Sequence, residues 1–282
     1  MIKLSAFADE YGSTLEDQIE GLNKNGIEYI EIRSVNGKNI ADVSDEEAKN
    51  IYDQLSMHGI KVWSIGSPIG KVDINCDFVK YKQKVERVCD IAKILKADKI
   101  RMFSFFNAYN SPELVFDYLQ QIVDIGNNKG IKMFHENEKE VFGDTVDRIL
   151  QIQENVKGLN YIYDPANFVQ CDQDADYAME KLFDSIGYFH IKDVIHKTGQ
   201  LVPAGYGDGK IEKLLNKIDF DAVLTMEPHL VEFDGYKGID NTQMLHKFHF
   251  DNGKDAFCFA VKSLKEILFK LGYKENNNCF EK

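Results

Sequence analysis

Cysteine is scarce and badly placed for cross-linking. The five residues Cys76, Cys89, Cys171, Cys258 and Cys279 are odd in number, and none forms a Cys-x-x-Cys pair. That excludes a disulfide framework and a thiolate zinc site, and the thiols are read as reduced. No run of about 18 apolar residues occurs, so no transmembrane helix is expected. The opening Met1-Ile2-Lys3-Leu4-Ser5-Ala6-Phe7 reads straight into a strand. It lacks the basic start and long apolar stretch of a signal peptide. Together these absences point to the cytoplasm and away from a membrane. Positive charge is also short: 34 Lys and Arg stand against 46 Asp and Glu, a net charge of -12. A nucleic-acid partner, which needs clustered cations to neutralise phosphates, is therefore not expected. A small anionic substrate is not excluded, since one or two local cations suffice for it. Proline numbers only 5, and no Pro-, Gly- or Ser-rich linker divides the chain.

What is present is alternation. Short β-rich runs at 2–7, 28–33, 60–65, 99–105, 131–136, 159–164, 187–192 and 222–227 alternate with amphipathic stretches. Helices are expected at 14–25, 45–58, 78–96, 112–129, 144–155, 174–184, 210–217 and 253–272. Ser13-Thr14-Leu15-Glu16 and Ser44-Asp45-Glu46-Glu47 read as capping boxes, and Ser111-Pro112 as a cap before a first-turn proline. Leu15, Ile19 and Leu22 form one apolar stripe. Asn25-Gly26-Ile27, His58-Gly59-Ile60 and Lys129-Gly130-Ile131 repeat one junction, a glycine ending a helix just before a strand. Eight strand–helix units in 282 residues predict a single (β/α)₈ TIM barrel over 1–275. An open doubly wound sheet is the alternative. The Asn276-Asn277-Asn278 segment reads as a disordered tail over 276–282. The long irregular stretch 230–252, with Tyr236, Gly238, His246 and His249, reads as a lid. Gly205-Tyr206-Gly207-Asp208-Gly209 reads as a flexible turn rather than a phosphate cradle.

In a parallel barrel, function sits at the C-terminal ends of the strands. Four successive strands end in polar groups: His135-Glu136-Asn137-Glu138, Tyr163-Asp164-Pro165-Ala166-Asn167, Phe189-His190-Ile191-Lys192-Asp193 and Met226-Glu227-Pro228-His229. Strand side chains alternate. Phe134 and Glu136 share a face, as do Ile162 and Asp164, Tyr188 and His190, and Thr225 and Glu227. Ala222, Leu224 and Met226, with Phe189 and Ile191, suit the helices outside. Glu136, Asp164, His190 and Glu227 should then converge at the barrel mouth. A strand-end acid taken singly is more often a helix cap or an ion-pair partner, but four on consecutive inward positions outweigh that reading. Three crowded carboxylates repel unless a cation neutralises them. One imidazole with three carboxylates suits one divalent metal, Mn²⁺, Co²⁺, Zn²⁺ or Fe²⁺, with Mg²⁺ accepting nitrogen less readily. Glu138 has the same parity as Glu136 but stands further out, where it would point at a substrate. Lys192 keeps the inward parity of His190 and suits an oxyanion or a phosphate. Arg101 is read either as an anion binder or as a partner of an inward carboxylate. His229 is read as a substrate contact or a loop histidine. Trp63 and Phe7 are read as core more than as pocket walls. His246 and His249 are read as lid residues more than as metal ligands.

These strand ends resemble the xylose isomerase-like superfamily of barrels, which spans ketose 3-epimerases, hydroxypyruvate isomerases, inosose dehydratases and endonuclease IV-type repair enzymes. The resemblance extends to the opening Phe7-Ala8-Asp9-Glu10 and to Tyr29-Ile30-Glu31-Ile32-Arg33. It implies that Glu136 (followed by Asn137), Asp164, His190 (in a His-x-Lys-Asp pattern) and Glu227 hold the metal. It also implies that Glu136 and Glu227 exchange the proton. Two positions depart from it: Asn167 and Glu138 stand where many members carry histidine. The substrate-binding candidates are Asn167, Glu138, Lys192, His229 and Arg101. The implied activity is isomerisation or epimerisation of a sugar or sugar phosphate through an enediolate. The alternatives are dehydration of an inosose-like keto-polyol, abasic-site endonuclease activity, which would need more histidines for three metals, and a non-enzymatic ligand-binding barrel. The expected partner is a small polyhydroxylated carbonyl compound, and a homo-oligomer is compatible with this reading.

Overall fold

The computed structural model describes residues 1–233 and 244–282. Eight parallel strands form the barrel: β1 (Ile2–Ala6), β2 (Tyr29–Ile32), β3 (Lys61–Gly66), β4 (Lys99–Met102), β5 (Lys132–Glu136), β6 (Asn160–Tyr163), β7 (Ile186–Ile191) and β8 (Ala222–Met226). Each pairs with the next, and β8 returns to β1 with Ser5 opposite Thr225. This closure decides against the open sheet.

Helices α1 (Leu15–Lys24), α2 (Asp45–Met57), α3 (Phe78–Ile94), α4 (Pro112–Lys129), α5 (Val146–Asn155), α6 (Pro165–Gln170), α7 (Ala175–Leu182), α8 (Ile211–Lys217) and α9 (Gly253–Lys270) lie between or after the strands. Their apolar stripes bury against the outward strand residues. Leu15, Ile19 and Leu22 do so on α1, and Leu4, Leu224, Phe189 and Ile191 meet such stripes from the sheet. The capping box at Ser44 forms with both bonds. At α1 the cap is Thr14, not Ser13, because the Thr14 side chain accepts from the Asp17 N–H. Gly130 takes φ 73 at the end of α4, the left-handed state a side chain resists. The short α6 was not foreseen; it starts at Pro165 directly after β6. No described helix is long and apolar enough to cross a membrane.

The chain's end corrects the disorder expected of 276–282. Strands β9 (Lys274–Asn276) and β10 (Cys279–Glu281) form a hairpin whose turn uses the left-handed φ of Asn277 and Asn278. Asparagine adopts that conformation with little penalty. Phe280 is buried, and β10 pairs antiparallel with Ile2 and Lys3. Those residues are available because β2 pairs with β1 only at Ser5 and Ala6. The stagger of a barrel leaves one strand's start open, and the hairpin fills it.

The barrel interior has two layers. Below, Phe134, Ile162, Tyr188 and Val223 pack with Trp63. Trp63 is therefore core, not a wall of the upper cleft. Above this layer the inward positions turn polar.

Candidate active site at the barrel mouth

Glu136, Asp164, His190 and Glu227 each offer a ligand atom, all within 4.8 Å of one another and all buried. Among the described residues this is the one such group; His249 is exposed, and His246 donates its Nε2–H to the His229 carbonyl at 2.9 Å instead. Tyr236 and Gly238 of the expected lid lie outside the described residues.

Each side chain is held by a second set of contacts. His190 Nε2 lies 3.1 Å from Glu31 Oε2, which also accepts from Thr225 Oγ1, while Glu31 Oε1 accepts from Tyr188 OH at 3.0 Å. A carboxylate at Nε2 fixes the ring and leaves Nδ1 facing Glu136 Oε1 at 3.0 Å and Glu227 Oε2 at 3.2 Å. Burial works against a charged ring, but Glu136 and Glu31 outweigh it and raise the His190 pKa well above its usual value. A proton or a metal ion can satisfy Nδ1 among these oxygens, and the two compete.

Asp164 does two things at once. Its Oδ1 caps α6 by accepting the Asn167 N–H at 3.0 Å, while Oδ2 faces the cluster. Asn137 ties the ends of β5 and β6 together: its Nδ2 donates to the Asp164 carbonyl, and its Oδ1 accepts the Asp164 N–H. Burial pushes the Asp164 pKa up to about 7 against the pull of Lys192, whose Nζ is 2.9 Å away. Glu136 Oε2, Asp164 Oδ2 and Glu227 Oε2 are all buried without a well-aligned donor. Three such oxygens and one ring nitrogen turned to a common point fit a divalent cation, oxygen-rich with one nitrogen.

The remaining predicted residues line the cleft above. Arg101 Nη1 is 3.3 Å from Glu136 Oε2 and 3.6 Å from Glu227 Oε1, so it pairs with inward carboxylates. For Lys192, burial opposes the charge, but Asp164 and Glu227 outweigh it and raise the pKa. Asn167 donates to the Asn137 carbonyl and leaves its buried Oδ1 unpartnered. Glu138 meets Lys71 at 2.8 Å. The His229 N–H donates to Glu10 Oε2, and the ring lies 3.5 Å from Glu227. Phe7 packs edge-on against His190, which makes it part of the site's floor.

Residue-by-residue reading missed Glu31, Arg33 and Lys71. Arg33 holds Asp9 through two bonds and Glu227 Oε1 at 2.9 Å. Inward parity with the segment's other polar residues was the available signal for Glu31 and Arg33; Lys71 sits in a loop and gave none. The glycine segment 205–209 is also not a flexible turn. Asp193 accepts N–H groups from Val194, Gly205, Gly207 and Gly209 at 2.9–3.0 Å, so the loop is wound around a buried carboxylate.

The cleft is lined by Arg33, Lys71, Arg101, Glu138, Asn167 and Lys192 among others. A closed parallel barrel with a buried carboxylate–histidine cluster at its C-terminal mouth defines the class. The profile of the xylose isomerase-like TIM barrel matches residues 19–245, and the chain belongs to that family. No curated protein matches it in sequence. Solved structures share its fold at low identity. The probable 3-DHS dehydratase AsbF of Bacillus anthracis is 16% identical, with TM-score 0.72, over 94% of this chain and 99% of its own. A D-psicose 3-epimerase, solved in the presence of D-fructose, is 18% identical with TM-score 0.72 over 96% and 99%. An IOLI protein with a bound zinc atom is 17% identical with TM-score 0.68 over 95% and 97%.

Proposed function

We propose that this protein is a divalent-metal-dependent isomerase or epimerase of a sugar or sugar phosphate, working by proton transfer beside a carbonyl through an enediolate. The observation that carries this reading is the convergence of Glu136, Asp164, His190 and Glu227 within 4.8 Å in a buried cluster. A cation held there would polarise the carbonyl and stabilise negative charge on the substrate oxygens. Mn²⁺, Co²⁺ and Zn²⁺ suit the donor set best.

The two glutamates are suited to moving the proton. Asp164 is committed through Oδ1 to capping α6 and His190 through Nε2 to Glu31, so both serve as fixed ligands. Glu136 and Glu227 approach from β5 and β8, and each, like Asp164, keeps an oxygen without a well-aligned donor. One accepts the proton from the carbon beside the carbonyl and the other returns one. Arg101 and Lys192, both close to these carboxylates, donate to developing oxyanions. Asn167 and His229 orient substrate hydroxyls from the cleft wall.

Dehydration of a keto-polyol is the second reading, favoured by the likeness to a probable dehydratase. It shares the first step, and Lys192, which lines the cleft, is the candidate donor to a leaving hydroxyl. Abasic-site cleavage fits less well, because the described residues gather one four-ligand cluster and the chain carries -12 charge.

Incubation of the Mn²⁺-loaded protein with free ketoses and inososes in deuterated water tests the reading. Exchange at the carbon beside the carbonyl without loss of water is expected. Water loss would transfer the assignment to the dehydratase, and neither reaction with any carbonyl polyol would reject both.

A further inference from the structure

Two residues on the outer cleft wall form a recognition element distinct from the cluster below. Glu138 stands two residues beyond Glu136, past the end of β5, and lines the cleft. Lys71 comes from the loop after β3, and its Nζ is 2.8 Å from Glu138 Oε2. Both side chains line the cleft, yet only 9% and 14% of their surfaces are exposed. The pair is rigidly built. Lys71 Nζ lies 4.5 Å from the Phe103 ring centre. Its loop is bonded to the strand-4 extension at Phe103 N–H to Ile69 O and Phe105 N–H to Gly70 O. Gly70 has φ +88 and sits against the Phe103 carbonyl, where a Cβ would collide. Glu138 Oε1 accepts the Lys139 N–H at 3.0 Å.

We propose that Lys71 and Glu138 form a hydroxyl-recognising subsite that selects an uncharged polyol end on the substrate and rejects a phosphate or carboxylate there. The proposal rests on the carbonyl-sugar reading above and narrows it. An ammonium only donates hydrogen bonds and a carboxylate only accepts them, whereas a hydroxyl does both. Sugar hydroxyls can therefore accept from Lys71 and donate to Glu138 while the ion pair persists. A phosphate oxygen can use Lys71 alone and would face the Glu138 charge. The other cations around the cleft already have carboxylates: Arg33 has Asp9, Arg101 has Glu136 and Lys192 has Asp164. Lys139 also lines the cleft, next in sequence to Glu138. At Arg33, Arg101 and Lys192 an anionic substrate end would have to break an existing pair.

The test is calorimetric binding to the Mn²⁺-loaded protein, with D-fructose, D-psicose, D-tagatose and L-sorbose against the 6-phosphates of the first two. The best free ketose should bind about tenfold or more tighter than its phosphate. Glu138→Gln and Lys71→Met should each weaken the free ketose by about tenfold. That loss should fall on affinity more than on deuterium exchange at saturating ketose. Glu138→Gln should also bind the phosphate better than wild type does, because it removes the repelling charge. The double variant Lys71→Met/Glu138→Gln, which leaves neither charge unpaired, should lose the discrimination altogether. Tighter binding of the phosphate by wild type, unchanged discrimination in Glu138→Gln, or no binding of any of these compounds would overturn the subsite. Binding of a free ketose without deuterium exchange would leave the subsite standing and overturn the epimerase reading alone.

Discussion

The two halves of the barrel interior are built from the same strands with opposite chemistry. Two residues below Glu136, Asp164 and His190 stand Phe134, Ile162 and Tyr188, and four below Glu227 stands Val223. These lower side chains form a closed apolar layer with Trp63. The upper layer gathers the carboxylates of Asp9, Glu10, Glu31, Glu136, Asp164 and Glu227 with an imidazole, two arginines and a lysine, all buried. Burying like charges is costly, so the fold's stability has to come from the lower layer and the helix-facing core. The mouth is then free to be arranged for chemistry. Changes above should silence turnover and metal binding, whereas changes below should weaken the fold.

The sharpest contrast comes from Glu227→Gln. Deuterium exchange should fall by roughly 10³-fold or more while the protein stays folded by circular dichroism, since the amide oxygen can still accept from Arg33. Exchange above a tenth of wild type would take Glu227 out of the proton path. Phe134→Ala, two residues below Glu136, should cost about 3–5 kcal/mol in urea unfolding. It should leave the metal content of the folded fraction unchanged. Loss of metal at wild-type stability would mean that the two layers are not separable. Glu31→Gln lies on the boundary. Its carboxylate no longer holds His190 Nε2 as an acceptor, so Mn²⁺ affinity by calorimetry should drop about 10–100-fold. An unchanged affinity would show that His190 needs no such support.

The smallest expected effect is a pH slope. Burial pushes the Glu10 pKa from 4.5 up to about 8, against Arg33. The folded state then binds more protons than the unfolded chain between those values. This contribution to stability is full below about 4.5 and is lost as pH rises toward 8. Glu10→Gln should flatten that decline in the metal-free protein. The change should be on the order of 1–2 kcal/mol across the window, because the cleft can relax and admit water as the carboxyl ionises. An identical slope in the variant would place the effect elsewhere.

What could be read from the residues follows the same division. Strand parity is a local property, so the eight strands and the convergence of Glu136, Asp164, His190 and Glu227 were legible, with strand boundaries within a residue or two except at β4, which ends at Met102 rather than 105. The question of whether a strand-end acid caps a helix or faces a site proved a false choice at Asp164, whose two oxygens do one each. Contacts across the barrel were not legible. Glu31 reaches His190 over 159 residues of sequence, and no periodicity reports such a meeting. The Asn-rich end suggested disorder because composition says nothing of an open edge on β1 waiting for Phe280. The glycines at 205–209 suggested freedom, yet their N–H groups are spent on Asp193.

The most direct test is metal stoichiometry. Protein purified, stripped with a chelator and reloaded with Mn²⁺ should hold one ion per chain by elemental analysis, and His190→Ala should lose most of it. A wild-type chain that retains no divalent ion, or a His190→Ala protein that retains the full equivalent, would contradict a metal centre at the barrel mouth.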